Sequence, residues 1–234
     1  MTKFNVAHLI KYYIIYTHML SQILYNTLVN YLLFNFIYYL TSGILFLIDF
    51  FELFPSKKIQ DKKNYLDNYI KCLPCVMINT LVYAFLPCLI FGWYEFYFNP
   101  IFNILGCILD ICVSIILTDI FFYGIHRVLH MPYFYKKYHK QHHEIITPIG
   151  LCAVYMTMVD FYVGNILPVL LPMLIIGAHI TTIRIWLTII IVNTIVFAHS
   201  GFMIAEHHDK HHTLFIKNYG IGIFMDKIFG TSHD

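Results

Sequence analysis

Charge is scarce in this sequence. Asp, Glu, Lys and Arg make up 12% of its 234 residues, where an ordinary soluble chain carries roughly 25%. Hydrophobic residues reach 59%. A soluble fold of that make-up could not cover its surface with polar groups, so the composition excludes an ordinary water-soluble domain and makes the bilayer the natural solvent. The net charge of +2 is too small to call for a nucleic-acid partner. The stretch Met1 to Lys11 holds Lys3 and Lys11 but no small-residue cleavage site behind a short apolar core, so no cleavable signal peptide is expected. Neither end carries a lipidation motif. The cysteines (Cys72, Cys75, Cys88, Cys107, Cys112 and Cys152) all lie in or beside apolar runs, unlike a disulfide-stapled scaffold. Cys72-x-x-Cys75 has the spacing of a redox or metal pair, but in this setting it reads as small buried hydrophobes.

What the chain has in abundance is apolar length. A helix needs about 20 apolar residues to cross a bilayer. No Asp, Glu, Lys or Arg occurs from Tyr12 through Ile48, which places a span around Asn30 to Phe51, with the polar-dotted stretch before it at the interface. Cys72 to Tyr94 is a second span, with Pro74 near its start and Pro87 as a kink point. Trp93, Tyr94, Tyr97, Asn99 and Pro100 make an interfacial turn, and Ile101 to Ile125 is a third span. Ile145 to Ala198, whose only charges are Asp160 and Arg184, is too long for one crossing. It fits a hairpin turning near Gly177 to Arg184. The expected fold is all-α, a multi-pass membrane bundle of about four to five spans.

The basic residues test this topology. Lys57, Lys58, Lys62, Lys63 and Lys71 precede one hairpin, and Arg127, Lys136, Lys137 and Lys140 follow it. The positive-inside rule puts both groups in the cytosol. Every histidine-rich segment then faces one compartment and forms a cytosolic cap.

Eleven of the fourteen histidines fall between His126 and His212. His126-x3-His130 is an i, i+4 pair. His139-x2-His142-His143 and His208-x2-His211-His212 share one pattern, with residues three and four apart on one helix face. Neutral imidazole is a ligand for zinc, copper, iron and nickel. A tetrahedral zinc takes four ligands, so the three clusters suit two ions with open positions. Two redox metals could bind O2 and oxidise a C–H bond, whereas zinc in the same cage would be hydrolytic or structural. His199, at the end of the last apolar stretch, is a further candidate ligand. His207 is either a spacer or an alternative ligand, and His8, His18 and His233 read as ordinary polar residues. Asp119 lies two helical turns before His126 and could orient a ligating imidazole through its other ring nitrogen. Asp110 and Asp160 are weaker candidates for such a role.

The order HxxxH, HxxHH, HxxHH in a membrane protein resembles the fatty acid hydroxylase and sterol desaturase superfamily. The boxes stand here as His126-Arg-Val-Leu-His130, His139-Lys-Gln-His142-His143 and His208-Asp-Lys-His211-His212. HKQHHEIITPIGL at 139–151, GNILPVLL at 164–171, His199-Ser200-Gly201 and the ending NYG followed by MDKIFGT look most like the C4-methyl sterol oxidase branch. The resemblance covers residues 119–234 as a catalytic region and leaves 1–118 as an N-terminal membrane-spanning region. It implies a two-iron, O2-dependent enzyme of the endoplasmic reticulum that oxidises a sterol C4 methyl. Electrons would come from NAD(P)H through a reductase and cytochrome b5. Sterol C5-desaturation, or sphingolipid or fatty acid hydroxylation, is the alternative within the superfamily. A non-catalytic zinc- or lipid-binding membrane protein is the alternative outside it. By the resemblance the box histidines and His199 bind metal, and His179, which aligns with a recurrent family histidine, joins them as a candidate. The chain departs from the family at Gly124-Ile125 and Met225, where tryptophan is usual, and in a short segment between Gly201 and His208.

Overall fold

The computed structural model describes residues 6–60, 65–98 and 100–233. Lys3, Lys62, Lys63 and Asn99, which entered the expectations above, lie outside them. No β-strand forms among the described residues, and four helices are long and apolar enough to cross a membrane. We label the principal helices α1 (Val6–Phe50), α2 (Tyr65–Tyr97), α3 (Ile104–Leu129), α4 (Asp160–Ile176), α5 (Ile180–Ala198) and α6 (Glu206–Leu214). Of these, α4 is shorter than a full span.

Helix α1 corrects one expectation. The stretch ahead of Asn30 does not form a separate interfacial piece but continues the same 45-residue helix, since no glycine or proline precedes Gly43. At 1.5 Å per residue it is roughly 67 Å long, about twice the thickness of a hydrocarbon core. Many of its apolar side chains face outward, while Ile23, Tyr38 and Leu45 pack inward and Asn26, Thr27, Asn30 and Ser42 are buried.

Helix α2 is bent by its own sequence. Pro87 has no N–H to offer the carbonyl of Tyr83, one turn earlier. The helix relaxes into a π turn over Ile78–Tyr83, and the Tyr162 hydroxyl on α4 donates to the freed carbonyl at 2.8 Å. In α5, Arg184 would be costly in an apolar helix without partners. Its guanidinium donates to Glu95 at 2.8 Å and to Asn30 at 2.9 Å, joining α5 to α2 and α1.

The second hairpin also begins later than expected. Ile145–Thr157 is not helical span but a string of short turns, including a 3-10 turn over Gly150–Val154. Tyr38 of α1 donates to the Leu151 carbonyl at 2.7 Å. Asn79 of α2 donates to the Val154 and Met156 carbonyls at 2.7 and 2.9 Å. This segment, the floor of the histidine cap, therefore hangs on side chains from the first two helices. Around it packs a core of Tyr38, Cys72, Val76, Ile149, Phe161 and Ile195.

Helices α1 and α2 meet at Gly92, where an added Cβ would stand 2.7 Å from the Ile23 carbonyl oxygen. Gly92→Val should therefore push the helices apart and destabilise the protein by about 1–3 kcal/mol, read as a lower thermal midpoint in detergent. Gly43→Ala, with open space around its new methyl and a better helix former in place of glycine, should not lower the midpoint.

Candidate metal centre

Nine histidines converge at one end of the bundle. His126, His130, His139, His143 and His211 form one group, and His142, His199, His208 and His212 form a second. Within each group the ring nitrogens that could bind an ion all lie within 4.8 Å of one another. The i, i+4 pairs His126/His130, His139/His143 and His208/His212 each stay on one group. The i+3 residues cross over: His142 leaves its box for the second group, and His211 leaves its box for the first. Box two achieves this with tight and loose turns, a π turn at Tyr135–His139 and a 3-10 turn at His142–Glu144. Box three does it on helix α6.

Backbone carbonyls set the tautomers. The Nδ1–H of His126 donates to the Tyr219 carbonyl at 2.7 Å, that of His199 to Thr194 at 2.8 Å and that of His211 to Lys217 at 2.7 Å. His142 makes a longer contact of the same kind, 3.4 Å to the Tyr155 carbonyl. Nδ1 of His139 lies 2.7 Å from the Asp160 carboxylate. A carbonyl can only accept, so the opposite nitrogen of each donor ring carries a bare lone pair. The inner nitrogens of the rings face one another. Nε2 of His139 lies 3.1 Å from Nε2 of His126 and 3.1 Å from Nε2 of His143, and Nε2 of His199 lies 3.3 Å from Nε2 of His142. Nitrogens bound at about 2.1 Å to one ion sit at such spacings. Nε2 of His130, His208 and His211 and both nitrogens of His212 are buried with no protein partner. Orphaned buried acceptors in this number fit a pair of cations between them.

Protonation is not an alternative way to satisfy these rings. Burial, aided by neighbouring imidazoles, pushes His142, His208, His211 and His212 well below the ordinary range and lowers His130 and His143 too. Burial brings His199 down to about 4. These rings stay neutral and metal-ready at pH 7.

Two expected site residues stand elsewhere. His179 is absent from both groups. It caps the start of α5, its Nδ1 accepting from the Thr181 N–H at 3.0 Å with its ring against Phe102. Asp119 touches no imidazole. Its carboxylate accepts from the Gly222 and Met225 N–H groups at 2.8 and 2.9 Å and so ties down the C-terminal segment. That segment carries the Tyr219 carbonyl on which His126 rests, so Asp119 acts one step removed. The carboxylate that does hold an imidazole is Asp160, at the foot of α4. Asp226, fully buried, accepts from the Tyr219 and Gly220 N–H groups at 2.9 and 2.7 Å and shapes the same segment. Gly220 is required there, because a Cβ would meet the Gly222 carbonyl at 2.6 Å.

Two side chains from the basic loop also reach the cap. Lys58 pairs with the buried Asp49 carboxylate and donates to the Ser200 carbonyl at 3.2 Å. Gln60 donates to Asp209 at 2.8 Å and to the Ile146 carbonyl at 3.1 Å, clasping box three to the segment after box two. His207 lies beside the cap, 3.7 Å from Asp226. Both groups open onto one cavity, where His126, His139, His142, His199 and His208 meet apolar walls that include Phe122, Leu129, Val169 and Phe197.

The chain belongs to the fatty acid hydroxylase family. The family model matches residues 111–231, just over half of the chain. Methylsterol monooxygenase 1 of Rattus norvegicus is 32% identical over 234 residues, covering 83% of this chain and 73% of that protein. Fatty acid hydroxylase domain-containing protein 2 of Homo sapiens is 35% identical over 129 residues, 53% of this chain. The chain spans only 38% of that human protein's length. Very-long-chain aldehyde decarbonylase GL1-11 of Oryza sativa subsp. japonica is 29% identical, covering 89% of this chain and 86% of that protein. No solved structure matches.

Two outcomes follow from the site. Asp160→Asn removes the charge behind His139 and should weaken metal held by the first group roughly 10- to 100-fold, measured by chelator competition. Acid should destabilise the metal-free protein. An unfolded imidazole takes a proton below about 6.5, whereas His199 in the fold does not until about 4, so the unfolded state binds more protons in that window and stability falls as pH falls through it. For His199 alone the loss is on the order of 3 kcal/mol. A thermal midpoint flat from pH 6.5 to 4 would contradict the buried neutral rings.

Proposed function

We propose that this chain is an O2-dependent membrane oxygenase that holds two iron ions in its nine-histidine cage and oxidises a lipid C–H bond, with a sterol C4 methyl group as its substrate. The observation that carries the reading is the pair of imidazole groups opening onto one apolar-walled cavity in a bundle of membrane-spanning length. Iron rather than zinc is supported by the donor count, since the first group offers five nitrogens and a tetrahedral zinc takes four. The sterol is supported by the relative named methylsterol monooxygenase, which aligns over most of the chain. The name aldehyde decarbonylase at comparable coverage makes other long-chain lipids the comparison substrates.

In this reading His126, His130, His139, His143 and His211 hold one ion, and His142, His199, His208 and His212 hold the other. When bound, the iron pair supplies the O2 chemistry that an unactivated C–H bond demands. The protein supplies the rest. Asp160 and the carbonyls of Tyr219, Thr194 and Lys217 keep the Nε2 atoms of His139, His126, His199 and His211 aimed inward. Phe122, Leu129, Val169 and Phe197 keep water away and face the hydrocarbon of the substrate. Asn165, Asn193 and Thr194, also on the cavity, are the polar groups within reach of a sterol hydroxyl. Residues 1–118 serve as the membrane scaffold and 119–234 as the region that carries the chemistry. The cap faces the cytosol at the endoplasmic reticulum. There Arg127, Lys136, Lys137 and Lys140 meet an acidic electron donor such as cytochrome b5, fed by NAD(P)H through a reductase.

The test is metal content and turnover of the purified full chain. Two reducible irons per chain, with O2 consumed and an oxidised methyl appearing when a C4-methyl sterol, reductant and cytochrome b5 are supplied, is the expected result. His142→Ala should lose iron from one group and at least about 100-fold of the activity. Two exchange-resistant zincs and no product from any sterol or acyl lipid would overturn the reading.

A further inference from the structure

Three interior cavities lie end to end within the bundle. The first is the one onto which both histidine groups open. It shares Ala153, Asn165, Val169 and Thr194 with a second cavity. The second shares Phe34, Ile166, Leu170, Leu187 and Ile191 with a third, which ends at Asn30 and Arg184. The line therefore runs from the histidines between α1, α4 and α5 toward the opposite side of the bundle. Arg184 lies fifteen residues before His199, roughly 22 Å along helix at 1.5 Å per residue. That is the scale of an extended sterol with its side chain.

Past Asn165 and Thr194, which stand at the junction with the first cavity, the line offers little to water. Tyr38, which faces it, gives its hydroxyl to the Leu151 carbonyl, and Thr188 gives its own to the Arg184 carbonyl. The remaining walls are almost entirely hydrocarbon, and apolar cavities of this kind stay dry. The far end is different. Asn30 is 5% exposed. Its Oδ1 accepts from Arg184 Nε at 2.9 Å, which settles which amide atom is the nitrogen. That nitrogen, Nδ2, is buried without an acceptor. An unpaired donor at the end of a dry apolar channel is a feature that a ligand oxygen would satisfy.

We propose that the line of cavities is the channel for the substrate's side chain, and that Asn30 Nδ2 receives an oxygen at the end of that chain. The site then prefers a methyl sterol with a hydroxyl at the tip of its side chain over the plain parent. This rests on the oxygenase reading above, which places the sterol nucleus at the histidines. The cavities measure about 90, 40 and 50 Å³ in order from the site, less than a sterol occupies. Leu187 and Ile191, which separate the second from the third, must turn aside when it enters.

The test is equilibrium binding to the full chain in lipid nanodiscs, loaded with zinc so that no turnover intervenes. The two probes are a 4,4-dimethyl sterol and the same sterol hydroxylated at the side-chain tip. Wild type should bind the hydroxylated probe about fivefold tighter. Asn30→Leu should erase that difference. Leu187→Trp fills the channel without touching the polar end and should weaken both probes about tenfold at unchanged metal content. Equal affinities in wild type, or undiminished binding by Leu187→Trp, would overturn the channel. Turnover of the parent by iron-loaded protein separates the two ideas. Turnover with equal affinities sinks the channel alone, whereas the fivefold preference without turnover keeps the channel and sinks the oxygenase.

Discussion

Nine imidazoles packed out of water, with ring nitrogen facing ring nitrogen, make a demand that the rest of this fold answers. Their mutual repulsion has no remedy inside the protein. Burial disfavours protons on most of the rings, and the outer nitrogens of His126, His199 and His211 already donate to carbonyls while that of His139 lies against Asp160. A cage so arranged is a poor structure empty and a good one around cations. Holding it open requires that every ring be gripped from behind, and the grips come from all over the chain.

This explains why helices that carry no ligand matter to the site. Tyr38 of α1 and Asn79 of α2 suspend the segment that ends at the Tyr155 carbonyl behind His142. Lys58 and Gln60 reach from the first loop to the backbone beside His199 and to Asp209 in box three. Asp119 and Asp226 fold the C-terminal segment so that Tyr219 and Lys217 present their carbonyls to His126 and His211. The membrane helices anchor the cap as well as spanning the bilayer. Where they bury a charge, as at Arg184, it has a partner in Glu95.

The histidines were legible in the sequence because ligand chemistry restricts residue type, and helical spacing groups i with i+4. The division of each HxxHH box between two groups was not legible. It depends on local turn type, which the spacing leaves open. The spans could be read from apolar length, but the start of α4 could not, since Ile145–Thr157 is apolar for contact with the cap and not with lipid. Asp119 and Asp160 changed places for a related reason. Both are lone carboxylates in apolar runs, and only the fold tells which one meets a ring and which one meets backbone N–H groups. The carbonyls behind His126, His199 and His211 leave no mark in the sequence, because any residue supplies one. His179 sits at a helix start, where a side-chain acceptor for a free N–H is enough to account for it.

The crossing of His142 and His211 between the groups has a consequence for assembly. Box two and box three each lend rings to both ions, so neither ion can be seated without ordering backbone that the other also uses. The conformational entropy lost in fixing those segments is incurred once, with the first arrival. Loading of such a cage would then be cooperative, a second ion binding more tightly than the first.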